Sequence, residues 1–101
     1  MPKVKHVGLI KFKEGTTEEQ IDQLFDEVLD LTEAVDGIED YVAGANNSPE
    51  SMNNGFTHGY VMTFTEPANR DAFVQHAEHS RVKGRLLDHA DAYVVLDFEV
   101  S

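Results

Sequence analysis

From Val4 to Phe12 the residues alternate. Val4, His6, Gly8, Ile10 and Phe12 fall on one side of an extended chain, with Lys5, Val7, Leu9 and Lys11 on the other, and this period of two predicts a strand. Thr16 followed three residues on by Glu19 predicts a helix start with Thr16 as N-cap. Ile21, Leu24, Phe25, Val28, Leu29 and Val35 then recur at helical spacing, with Asp22, Asp26, Asp30 and Glu33 mostly opposite, until Gly37 offers a stop. Ile38 to Ala45 reads as a short strand, and Asn46 to Gly55 has turn composition. The cleanest alternation runs from Phe56 to Thr65, with Phe56, His58, Tyr60, Met62 and Phe64 on one apolar face. Glu66-Pro67 opens a second helix with Ala72, Phe73 and Ala77 inward. Ser80 to Leu87 reads as a short third helix interrupted at Gly84, and Ala92 to Val100 as a final strand.

This order, β-α-β-β-α-β, predicts an α+β fold of the ferredoxin-like kind in a single domain over 1–101: an antiparallel four-stranded sheet with helices on one face. The other sheet face would lie bare in a lone chain. Val7, Leu9, Val61, Tyr93 and Val95 are expected there, and such a face predicts a homodimer packed sheet to sheet.

Composition narrows the function. The 101 residues carry 8 Lys and Arg against 19 Asp and Glu, a formal charge of −11 with histidine neutral. Eleven of the carboxylates lie between Glu14 and Asp40, and no Lys or Arg occurs between Lys13 and Arg70. Such a surface repels phosphate backbones, so no nucleic-acid partner is expected. The longest apolar run, Ala92 to Leu96, is far short of the ~20 residues that cross a bilayer, so no membrane partner is expected either. The opening Met-Pro-Lys-Val-Lys-His lacks the apolar region of a secretory signal, and a cytoplasmic location is the default expectation. The chain contains no cysteine, which removes disulfides, thiolate catalysis and cysteine-ligated metal centres.

Candidate chemistry rests on the five histidines. His6 and His58 both fall on the apolar faces of their strands, where a single histidine is ordinarily a hydrogen-bonded core residue but two together form a candidate site. Burial without a carboxylate favours neutral imidazole, the form a general base requires. His76 and His79, three apart, admit a transition metal by spacing alone, but no His-x-x-x-His pair or tight carboxylate cluster completes a ligand set, and no metal or other cofactor is assigned. Tyr41 and Tyr60 are candidate pocket hydroxyls.

Three tracts resemble a known family: Val-Lys-His-Val-Gly-Leu-Ile-Lys-Phe-Lys from Val4, Gly-Phe-Thr-His-Gly-Tyr-Val-Met-Thr-Phe from Gly55, and Asp-Ala-Phe-Val-Gln-His-Ala-Glu-His from Asp71. Together they resemble the stress-responsive A/B barrel (Dabb) family over nearly the whole chain. The resemblance implies a ferredoxin-like chain that dimerises into an α+β barrel, in a family that includes plant stress proteins and polyketide cyclases. It also implies a base histidine at the position of His79, with pocket histidines at His6 and His58. The cyclase members carry tyrosine where this chain has Phe73, and their His-Pro-x-His tract here reads His76-Ala77-Glu78-His79. Phe73 cannot hydrogen-bond to the base or to a substrate carbonyl, a loss of about 1 to 3 kcal/mol if the group is buried.

The expected function is a homodimer with an apolar cavity holding His79, His58 and His6 together with Phe73, Phe56, Tyr60 and Phe64, which binds a small aromatic or polyketide-like molecule. One alternative is a cofactor-independent cyclase or isomerase with His79 as general base. A further alternative is a structural, stress-protective oligomer without catalysis.

Overall fold

The computed structural model describes residues 2–101. Strand β1 (Lys3–Phe12) leads into helix α1 (Glu18–Ala34), then strands β2 (Ile38–Ala45) and β3 (His58–Phe64). Helices α2 (Pro67–Val74) and α3 (Ala77–Asp88) follow, and strand β4 (Ala90–Val100) ends the fold. The four strands form one antiparallel sheet in the order β2-β3-β1-β4, the ferredoxin-like arrangement expected from the sequence.

Several local features differ from the sequence expectation, each for a physical reason. Helix α1 is capped by Thr17, one residue later than predicted: its hydroxyl accepts from the Gln20 amide at 3.1 Å, while the Gln20 side chain accepts from the Thr17 amide at 2.9 Å. Glutamine closes the same reciprocal box as glutamate. The chain leaves α1 through Gly37, whose φ of +90° lies in the left-handed region, where a side chain would be strained and would also meet Asn69. The two helices expected after β3 are both present, with different bounds. His76 sits between them in an extended conformation and its ring Nδ1 accepts from the Glu78 amide at 3.1 Å, so α3 begins earlier than expected and passes through Gly84 without interruption. Only Phe73 of the trio Ala72, Phe73 and Ala77 is buried, and Leu29 is exposed whereas Leu31 is core. Strand β3 starts at His58, leaving Phe56 in the preceding loop.

The core lies between the sheet and the helices. β1 contributes Val4, Ile10 and Phe12, β3 contributes Tyr60, Met62 and Phe64, and α1 lays Ile21, Leu24, Val28 and Leu31 across them. Phe73, Val82 and Leu86 from α2 and α3 complete it. Burying such side chains contributes about 1.5 to 3 kcal/mol each.

The register of β4 corrects one expectation. Ile10 pairs with Tyr93, Gly8 with Val95 and His6 with Asp97, so Tyr93 and Val95 share the helix-covered side with the core residues of β1. The bare face instead carries Leu9, Val42, Val94, Leu96 and Phe98, each 40% to 62% exposed. The more apolar register of β4 thus points away from its own helices.

Candidate functional site

His6 enters the helix-covered side from β1 and is 4% exposed. Its Nδ1 donates to Asp97 Oδ1 at 2.7 Å across the β1–β4 pairing, and Asp97 Oδ2 accepts from Arg70 Nη1 at 2.8 Å. A carboxylate only accepts, so the pair fixes the His6 proton on Nδ1 and leaves Nε2 as the free ring position of the neutral form. Arg70 ties α2 to the sheet through the same carboxylate.

His79 comes from the first turn of α3. Its ring stacks obliquely on Phe73 with centroids 4.7 Å apart, and Phe73 in turn lies 6.0 Å from His6 and 5.2 Å from Phe64. Phe73, 1% exposed, therefore forms the floor between the two histidines. His79 Nδ1 is buried with no hydrogen-bond partner among the described residues. Burial pushes the His79 pKa down, and the nearby Lys83 ammonium and His6 push the same way, against the opposing pull of the Val74 backbone. The environment holds this ring neutral.

Tyr60 from β3 and Tyr93 from β4 meet above the sheet, hydroxyl to hydroxyl at 2.7 Å. Burial raises the pKa of both phenols, so they remain O–H donors. Gly8 makes room for them, because a Cβ there would overlap the Tyr60 ring. His6, Tyr60, Tyr93 and His79, with Val95 and Lys83 toward the rim, enclose a cavity of about 310 Å³. Below it a recess of about 20 Å³, room for roughly one water, runs over Phe73 toward Val28, Leu31 and Met62. A few polar groups converging over an apolar floor are the usual make-up of a small-molecule site.

The other candidate residues lie elsewhere. His58 pairs with Ile10 whereas His6 pairs with Met62, four residues along the strand and about 13 Å away. Its ring packs edge-on against Phe12 at 5.1 Å and close to Phe25, its Nδ1 meets the Thr57 hydroxyl at 2.8 Å, and it lines a separate cleft of about 550 Å³ beside Glu18, Asp22 and Asp26. Burial lowers its pKa, against the opposing pull of Asp22 and Glu18. That cleft is the larger one, but it is a wide surface groove without the convergence of donors found around His79. Phe56 borders a third hollow near Leu9 and Met52, and Phe64 is fully buried beneath Phe73. Tyr41 donates to the Phe25 carbonyl at 3.3 Å. His76 is occupied as the α3 cap, and no group of three or more metal-ligating side chains occurs among the described residues. The structure thus brings together His6, His79, Tyr60 and Phe73, adds Tyr93, Asp97, Arg70 and Lys83, and does not bring His58, Phe56 or Phe64 to the cavity.

Residues 4–100 match the family described as Stress responsive A/B Barrel Domain. The chain belongs to that family. A stress-response A/B barrel domain-containing protein of Arabidopsis thaliana is 30% identical over 98 residues, 96% of this chain and 86% of the relative. Olivetolic acid cyclase of Cannabis sativa is 26% identical over 76 residues, 75% of each chain. Among solved structures, a hydroxynitrile lyase from Passiflora edulis superimposes with a TM-score of 0.90 at 23% identity, over 98% of this chain and 94% of that one. A dimeric ferredoxin-like protein of unknown function from Jannaschia gives 0.87 at 24% identity, over 97% and 99%. This A/B barrel chain therefore shares its fold with enzymes and with proteins of no assigned role.

Proposed function

We propose that this A/B barrel protein is a homodimer whose cavity, bounded by His6, His79, Tyr60 and Tyr93 over Phe73, binds a small aromatic or polyketide-like molecule. The observation that carries the reading is the convergence of two histidines and a phenol pair on one cavity floored by apolar side chains. Olivetolic acid cyclase among the relatives is consistent with such a ligand. The dimer rests on the bare apolar sheet face and on a structural neighbour described as dimeric. A saturating panel of small aromatic ketones and phenols should raise the melting temperature: a ligand at 100 times its Kd adds about 2.7 kcal/mol. A panel that never shifts the transition would leave the structural, non-binding reading in place.

One observation favours going further to catalysis. His79 is held neutral and lines the cavity, which suits a general base. In this reading His79 takes a proton from a carbon next to a carbonyl and becomes imidazolium, the C–H electron pair moves into the enolate, and the enolate oxygen accepts from the phenol pair. His79→Ala should abolish α-proton exchange of a bound ketone in D2O while leaving fold and dimer intact. Exchange at the wild-type rate in that variant would remove His79 from the mechanism.

A further inference from the structure

Lys83 lies one helical turn beyond His79 on α3, so the two share a face. Its side chain borders both the cavity and the recess beneath it. The arginines nearest the cavity are all paired with carboxylates: Arg70 with Asp97, Arg81 with Glu78, and Arg85 with Glu27. Lys83 pairs with none among the described residues. In a chain of net charge −11, a cation without a carboxylate at the mouth of the histidine cavity calls for an anionic occupant.

We propose that the cavity selects a ligand bearing a carboxylate, with its apolar or aromatic body against Tyr93 and Val95 and its acidic head on the Lys83 ammonium. This rests on the cavity reading above and names its ligand class. Asp97, the carboxylate lining the cavity, pairs with His6 and Arg70 and makes no ion pair with Lys83. The Tyr60–Tyr93 contact is one hydrogen bond between two hydroxyls, so one phenolic O–H is left over to meet a second ligand oxygen. Lys83 is exposed, and a lysine can lay its stem along apolar surface while its head stays in water, which suits a residue at a rim. The acidic surface of the chain does not bar an anion from the cavity, since charges further apart than about 8 Å are largely screened at physiological salt.

The test is a matched pair of probes, 4-propylbenzoate and 4-propylbenzamide, titrated into the intact protein while the His6, Phe73 and His79 ring signals are followed by NMR. The benzoate should bind about tenfold more tightly than the amide, the usual size of a charge-assisted contact. Lys83→Gln should bring the two within about twofold of each other, while Lys83→Arg keeps the preference. Lys13→Gln, which removes the same charge far from the cavity, should also keep it. Equal binding of the two probes by the wild type, or a preference that survives Lys83→Gln, would overturn the acid selectivity and leave the cavity reading standing. If neither probe moves the cavity signals, the cavity reading fails and this inference falls with it.

Discussion

His79 is a half-buried imidazole whose Nδ1 has no hydrogen-bond partner among the described residues, and its pH behaviour follows from that burial. Its folded pKa lies below the usual histidine value, chiefly through burial, so the unfolded chain binds the proton more readily than the folded one. The associated stability is full above the unfolded pKa of about 6.5 and is lost as pH falls from there through the lower folded value. His58 acts in the same sense. Urea midpoints measured between pH 7.5 and 5.5 should therefore fall on acidification, and His79→Gln should flatten the fall; an unchanged slope in that variant would show that the ring is not held neutral. The sequence made these two histidines visible as candidates, because alternation placed His6 and His58 inward and the resemblance singled out His79. It could not separate His58 from the other two. Both strand histidines lie on the same face, and only the pairing register shows that they sit four residues apart along it.

Among the elements, α3 and β4 carry most of the site that the sequence did not reveal. Helix α3 was expected to break at Gly84, yet it runs from Ala77 to Asp88, with nothing within 4 Å of where a Cβ would stand. Gly84→Ala should therefore raise stability by about 0.5 to 1 kcal/mol, since alanine removes the entropic cost of a helical glycine without a clash. A chemical melt checks this, and a loss of stability would mean that the helix needs the glycine. The same continuous helix is what places Lys83 one turn from His79. Strand β4 misled for a different reason. Its two registers, Val94-Leu96-Phe98 and Tyr93-Val95-Asp97, both contain apolar residues, and the expectation that the more apolar side of a half-covered sheet faces the helices fails here, where Val94, Leu96 and Phe98 lie on the bare side. Alternation therefore places Tyr93 on the bare face and gives no sign that Asp97 holds His6 and Arg70.

For the whole molecule the fold was legible because length, helix signals and turn composition leave few arrangements of four strands with helices on one face. The cavity was not, since its volume depends on how Tyr60 settles over Gly8 and how α2 and α3 hinge at His76, details that periodicity does not carry. The bare sheet face joins both levels: Leu9, Val42, Val94, Leu96 and Phe98 form a continuous apolar surface of the kind that marks an interface. The most direct test of the account is native mass spectrometry of gently purified protein, with Leu96→Lys and His79→Ala alongside. The wild type should give a dimer with a discrete non-covalent adduct, the adduct should be lost in His79→Ala while the dimer remains, and Leu96→Lys should give monomers. A wild-type monomer, or an adduct that His79→Ala leaves untouched, would contradict a dimeric protein that binds its ligand at His79.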